Sequence, residues 1–317
     1  MKPSTVLTLA ILTVLFGPSV PASAAGPPRY HYERAENPGR TLVVTESGTT
    51  VATLTDGSRT GVFRGPSRTF AEPEVTSATV TTRDWVRVAP LPWRLGGEHD
   101  AALGRWLTTM LTDRSPDVLA IAMQYRRGTE NLFDPRGVRY AGRAFFGPMV
   151  DGERVTDSDF TDYLGVPWTY VDGTVRRPDP IRKDSLDCSG FLRMIYGYRA
   201  GYPLGWTPSD GRLPRQTNDI ATVGPGTLIV PNSGAQPPPE SLARLRAGDL
   251  LLFDLDPEDG PLIDHSAIYL GLDSAGQPRF ISSRKRYNGP TMGDRNGASV
   301  LTGDGVFAHV FRVARRI

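Results

Sequence analysis

One stretch of the sequence constrains the rest more than any other: Asp184-Ser185-Leu186-Asp187-Cys188-Ser189-Gly190-Phe191, which holds the only cysteine of the chain. Behind that cysteine, Phe191, Leu192, Met194, Ile195 and Tyr198 recur at helical spacing, so the pattern predicts a helix that begins at or beside the thiol. A helix N-terminus offers unpaired backbone N–H groups and the positive end of the macrodipole. Both favour thiolate over thiol and lead to the expectation of a lowered cysteine pKa. A histidine from elsewhere in the chain could complete the activation, its imidazolium stabilising the thiolate and later returning a proton. The alternative is that Cys188 is a small buried apolar side chain, which is what most free cysteines are.

The beginning of the chain bears on that choice. Met1 to about Ala25 has the layout of a secretory signal peptide. Lys2 precedes an apolar run, Val6 to Phe16, that is too short to span a bilayer, and Ala22-Ser23-Ala24 supplies small residues for cleavage. No later stretch is long and apolar enough to span, so the mature chain is expected to be exported and soluble, without a membrane partner once the leader is removed. In an oxidising compartment a structural cysteine normally has a partner. An unpaired one points to an intermolecular bridge or a reactive thiol. The formal net charge of +2 falls to +1 when Lys2 leaves with the leader, and gives no global reason to expect nucleic acid or membrane binding.

The 317 residues suffice for one large domain or two modest ones. From Arg40 to about Pro92, short β-rich runs separated by Gly, Ser and Asp turns predict four or five strands: Thr41–Thr45, Thr50–Leu54, Thr60–Phe63, Ala78–Thr82 and Trp85–Val88. A small all-β domain over 26–95 follows, for which an SH3-like wall-binding module is one fold that fits. A structural prodomain, or a sheet packed on the next domain, is the other reading. Glu98–Thr112 and Ser115–Gln124 read as two helices, the second with a serine cap and Pro116 in its first turn. They place a helical connecting region over 96–157, ahead of a domain spanning 158–317.

That last segment carries a succession of motifs in order. Leu164-Gly165-Val166-Pro167-Trp168-Thr169-Tyr170 precedes the cysteine stretch, and Leu213-Pro214-Arg215-Gln216-Thr217-Asn218 follows it. Then come Leu245-Arg246-Ala247-Gly248-Asp249-Leu250-Leu251-Leu252-Phe253 and Asp264-His265-Ser266-Ala267-Ile268-Tyr269-Leu270-Gly271, before Phe280-Ile281-Ser282 and a final strand expected over Val306–Val313. This succession resembles the NlpC/P60 family of cell-wall cysteine peptidases over about Asp159 to Ile317. The resemblance implies an α+β, papain-like fold, an antiparallel sheet with a nucleophile helix. It implies Cys188 as nucleophile and His265 as general base.

The other three histidines read differently: His31 and His99 lie ahead of this segment, and His309 reads as a residue of the final strand. The chain departs from the family pattern at two positions. Trp168 stands where the family usually has a tyrosine near the oxyanion site, with Tyr170 close by in another register. Ser282 stands where a third catalytic histidine is usual. A serine hydroxyl can bond imidazole Nδ1 but orients it less firmly, and Asp264, Arg284 and Asn288 are other residues near enough in sequence to serve.

The resemblance implies hydrolysis of peptidoglycan stem peptides, with backbone N–H groups at the start of the Cys188 helix stabilising the oxyanion. Asp187, Ser189 and Trp168 are the neighbouring oxyanion or substrate-binding candidates. No cofactor is implied, and no metal, because one cysteine and scattered histidines form no ligand cluster. An amidase or acyltransferase using the same dyad, or a non-catalytic wall-binding protein, are the alternatives. Two insertions, Asp172–Lys183 and Val223–Glu240, read either as rims of the cleft or as passive decoration. The basic cluster Arg279, Arg284, Lys285 and Arg286 reads either as a receiver of stem-peptide carboxylates or as solvated surface charge.

Overall fold

Thr- and Val-rich runs broken by turns build the first sheet in the computed structural model, which describes residues 29–209 and 211–317; the expected leader lies outside them. Strands β1 (Tyr30–Ala35), β2 (Arg40–Thr45), β3 (Thr50–Thr55), β4 (Thr60–Ala71) and β5 (Thr79–Val88) form a meander in which each pairs antiparallel with its sequence neighbour. The N-terminal part is therefore all-β, as its composition predicts. Two details differ. β1 escapes the pattern because Tyr-His-Tyr-Glu-Arg-Ala is a mostly exposed edge strand with polar residues on both faces. The runs expected at 78–82 and 85–88 are one strand, β5, which follows the long β4 across a register shift between Arg64 and Arg68.

Two helices pack against this sheet. α1 (Ala101–Met110) starts at Asp100, whose carboxylate accepts from the N–H groups of Ala102 and Leu103. It buries Leu103 and Leu107 in a core with Leu54, Phe63 and Trp93. α2 (Val118–Met123) is capped by Asp117 rather than the expected Ser115. The buried Asp117 carboxylate takes the Ala120 N–H, the Val86 N–H and two bonds from the Arg68 guanidinium, so one acid fixes the helix to β4 and β5 together.

The second sheet is antiparallel and six-stranded. Its strands are β6 (Thr227–Val230), β7 (Leu250–Phe253), β8 (His265–Leu272), β9 (Pro278–Arg284), β10 (Gly289–Thr291) and β11 (Phe311–Arg316), in the order β6-β11-β7-β8-β9-β10. β7 is an unbroken apolar run because both of its faces are buried. The segment expected as a strand over Val306–Val313 divides in two. A short helix, α6 (Val306–Val310), precedes β11, and His309 sits exposed on that helix. Apolar residues at 306, 307, 308, 310 and 311 fit either period, so the sequence alone could not choose.

Between two short helices, α3 (Phe160–Leu164) and α5 (Thr217–Val223), comes the cysteine helix, α4 (Cys188–Leu192), which lies across one face of this sheet and continues through Arg193–Arg199 as π-helical turns closed by Ala200 N–H to Ile195 C=O. Phe191, Leu192 and Ile195 meet Leu252, Ile268 and Ile281 there. The opposite face buries Leu251, Phe253, Ala267, Tyr269, Phe280 and Phe307. Val62, Val80 and Val86 of the first sheet belong to the same core as Phe191 and Ile268, so the two sheets share one apolar interior. The chain end adds to the join: Ile317 C=O accepts from Thr60 N–H at 2.7 Å, and Arg316 reaches both Asp249 and Thr55.

Candidate active site

Cys188 is the first residue of α4, and the sequence around it explains why the helix starts there. Asp187 is the cap, its carboxylate accepting the Gly190 N–H at 2.7 Å. Its own N–H goes to the Ser158 carbonyl at 2.9 Å. That carbonyl lies so close to the helix that a Cβ on Gly190 would come within 2.2 Å of it. Backbone cannot yield as a flexible side chain would. Gly190→Ala is therefore expected to destabilise the fold by about 1–3 kcal/mol through overpacking, measured as a lowered urea midpoint with an unchanged slope.

A buried charge network braces this start. Arg215 donates to Asp187 Oδ2 at 2.6 Å and to Ser189 Oγ at 2.5 Å, gripping the residues on either side of the cysteine. Asp159, 3.9 Å from Arg215, also pairs with Arg193 at 3.1 Å. Arg193 in turn donates to the Tyr170 hydroxyl and to the carbonyls of Gly205 and Leu213. The Leu-Pro-Arg motif is visible in the sequence. Its arginine's partner is not, because Arg215 and Asp187 are 28 residues apart and meet only when the chain folds.

The thiol itself is 7% exposed. Its sulfur contacts Thr217 Oγ1 and the Asp264 carbonyl oxygen, each at 3.6 Å. Burial, and next the Asp187 charge, push its pKa up to about 11, outweighing Thr217, Ser266 and Arg215, which act the other way. The helix-start expectation of a lowered value therefore fails in sign: the thiol is buried beside an acid, and desolvation dominates.

His265 opens β8 and is the one buried histidine among the described residues. Its ring lies 5.7 Å from that of Phe253 and 5.6 Å from that of Phe307, on the face it shares with Ala267 and Tyr269. By strand alternation Ser266 takes the face toward α4. Nε2 of His265 is buried and has no hydrogen-bond partner among the described residues. Burial, and then the neighbouring Arg284 cation, hold its pKa down at about 3, so the imidazole is neutral at physiological pH. Cys188 and His265 wall one cavity of about 790 Å³, with no hydrogen bond between them among the described residues.

The remaining candidates are placed as follows. Ser282 is buried on β9, opposite Thr291, and its Oγ accepts from Arg284 Nε at 3.0 Å rather than from His265. The carboxylate of Asp264 accepts the Leu255 N–H, and the Asn288 side chain accepts that of Phe146. None of these holds the imidazole. The expected effect of Ser282→Ala on kcat/KM is accordingly less than about tenfold. His265→Ala, which removes an acid–base group, should cost about 10²–10⁴-fold. Both are read on one stem peptide.

Trp168 is half-buried, packed edge-on against Phe160 and against Tyr198, and does not line the cavity. Asp187 and Ser189 do line it. Neither insertion forms its rim; that side is built by residues of the 255–265 segment, with Arg284, Lys285 and Arg286 on β9 and just after it. Thr217, unassigned from sequence, is a cavity residue in contact with the thiol. No group of three or more His, Cys, Asp or Glu among the described residues is placed to hold a metal. No helix among them is long and apolar enough to cross a membrane.

Comparison with known proteins gives little beyond this geometry. No family model matches the chain, and no curated protein does. Among solved structures, it is similar to a lipoprotein-like NLP/P60 family protein of Staphylococcus aureus, at 18% identity, 68% coverage of this chain and TM-score 0.29; the chain spans 48% of that protein. It is also similar to an NlpC/P60 family protein of Bacillus cereus, at 12% identity, covering 90% of this chain and 78% of that one, with TM-score 0.27. Likenesses this slight carry no argument about activity, which has to be derived from the site.

Proposed function

We propose that the protein is a cysteine hydrolase that cleaves amide bonds in peptidoglycan stem peptides at the cell wall, with Cys188 as nucleophile and His265 as proton carrier. The observation that carries this reading is that the only cysteine, on the first turn of a helix, and the only buried histidine among the described residues wall the same cavity. The substrate class follows from the sequence's resemblance to cell-wall peptidases.

The resting pair is neutral, thiol and imidazole, because each is buried. Proton transfer therefore accompanies attack. A neutral His265 nitrogen takes the thiol proton as Sγ bonds to the substrate carbonyl carbon, which requires the imidazole and thiol to come into contact when substrate enters. The first N–H groups of a helix have no partner within it. With that of Gly190 held by Asp187, those of Cys188 and Ser189 are the donors suited to the oxyanion. The imidazolium then protonates the leaving amine, giving an acyl-thioester. Water, deprotonated by His265, attacks the thioester carbonyl and releases the acid and the thiol.

The test is a digest of purified peptidoglycan analysed by mass spectrometry. Fragments with new amine and carboxyl ends inside the stem peptide support hydrolysis, and an unaltered wall opposes it. A second reading, wall binding without cleavage, draws on the Ser282 hydroxyl being engaged by Arg284 and on the missing Cys188–His265 bond. It expects co-sedimentation with wall and no new ends.

A further inference from the structure

The basic cluster seen in the sequence is not one feature in the fold. Arg279 is buried between Asp273, at 2.7 Å, and Asp294, at 2.9 Å, so its charge is neutralised. Lys285 and Arg286 are exposed at the mouth of the cavity. Arg284 differs from all three. It is 3% exposed, lines the same cavity as Cys188 and His265, and pairs with no carboxylate among the described residues.

Its partners are neutral: Nε donates to Ser282 Oγ, Nη1 to the Gly297 carbonyl at 2.6 Å, and Nη2 to the Ser299 hydroxyl. Three of the five guanidinium N–H donors are thereby used and two remain. The plane lies over the Phe307 ring, 4.4 Å from its centroid, which compensates part of the charge. Glu72 and Asp294 act on it only through space, and a buried cation with no bonded counter-ion is costly to fold around. Beside it the imidazole of His265 is a second unsatisfied group, with Nε2 unpartnered. Two neighbouring buried nitrogen groups, one cationic and one neutral, wall a cavity large enough for a ligand, and the cation lacks a bonded acceptor that carries negative charge.

We propose that Arg284 is an anion subsite of the cavity, which receives a carboxylate of the ligand next to His265. This deepens the function proposed above by naming what the ligand must carry near the reacting bond. Such a carboxylate takes the two free guanidinium donors in the bidentate manner that suits this pair. It also offsets the positive field that disfavours imidazolium, so ligand binding makes His265 a better proton acceptor. Ligands in which that carboxylate is amidated are poorly received, since an amide leaves the cation uncompensated. Asp157, Asp187, Asp256, Asp259 and Asp264 also line the cavity and disfavour an anion beside them, so the carboxylate is received at Arg284.

The test compares two alkylating agents of nearly equal size, iodoacetate and iodoacetamide, on the full-length protein. Both react at the same thiol, so the ratio of their rates at one pH is independent of how much thiolate is present. It reads the charge preference of the cavity, without requiring turnover. Relative to the same ratio for 2-mercaptoethanol, the protein is expected to favour iodoacetate by about tenfold or more, the scale of one charge-assisted hydrogen bond. Arg284→Gln is expected to remove that preference, and Lys285→Ala/Arg286→Ala to retain it. A wild-type ratio no higher than that of 2-mercaptoethanol overturns the proposal, and so does loss of the preference in the double variant with retention in Arg284→Gln. If Arg284→Gln does not fold, protection of wild-type Cys188 from iodoacetamide by glutarate, but not by glutaramide, decides the matter, and equal protection by the two overturns it. A cavity that prefers anions in a protein that cuts no wall would contradict the hydrolase and leave the subsite standing.

Discussion

Cys188→Ala is expected to abolish amide hydrolysis while leaving the protein folded. The sulfur's hydrogen-bond contacts with a threonine hydroxyl and a backbone carbonyl, each at 3.6 Å, are weak. Losing it removes little more than one buried heavy atom, roughly 1 kcal/mol of burial. The helix start is held by Asp187, Arg215 and Gly190, none of which the substitution alters. Turnover is another matter. With no nucleophile there is no acyl-enzyme, and the fall should reach at least about 10⁴-fold, the scale on which deleting a covalent nucleophile acts. Release of new amine ends from a soluble stem peptide gives the rate, and thermal unfolding followed by circular dichroism gives the fold. Comparable turnover by the variant would remove Cys188 from the chemistry.

Arg215→Met is expected to produce the largest loss of stability of any single change near the site. Arg215 is buried, bonds Asp187 and Ser189, and lies 3.9 Å from Asp159. Methionine keeps much of the volume and removes the charge, which leaves Asp187 buried without a cationic partner. Breaking one side of a buried pair typically costs about 3–5 kcal/mol. Asp159 is less affected, since Arg193 still holds it. The double variant Asp187→Asn/Arg215→Met, which removes both charges, should recover part of the loss, and urea unfolding of the set gives the coupling. A loss below about 1 kcal/mol in the single variant would mean that Asp187 does not depend on Arg215.

The way these residues meet shows what could be read from the sequence. The start of the helix at Cys188 is legible because its signal is local: apolar residues recur at helical spacing behind the thiol. The strand carrying His265 was legible from its apolar run. Which face the imidazole takes was not. Alternation assigns residues to two faces without saying which face meets α4, and here Ser266 does. The sign of the thiol's pKa shift is not legible for a similar reason: a helix start is a local feature, whereas burial depends on what folds over it.

Ser282 could be placed on its strand, but its hydroxyl goes to Arg284, a competition between neighbours that spacing does not reveal. Loops often surround a site, which makes the two long insertions candidate rims. The rim comes instead from the shorter segments before β8 and after β9, which the sheet itself brings to the thiol. α6 is hidden in an apolar run that fits two periods. The merging of the two sheets into one core is only one reading of the β-rich segment, since contacts such as Val80 and Val86 with the second sheet's core are tertiary.

The central claim is that Cys188 is acylated during cleavage, and intact-protein mass spectrometry after rapid acid quench tests it most directly. Wild-type protein mixed with excess soluble stem peptide should show, before steady state, a species heavier by the acyl portion of the peptide. That added mass should map to the peptide containing Cys188 and vanish on treatment with hydroxylamine, which cleaves thioesters. The Cys188→Ala protein should show no such species. Cleavage of the stem peptide with no acylated protein at any quench time, and equal cleavage by Cys188→Ala, would contradict the account.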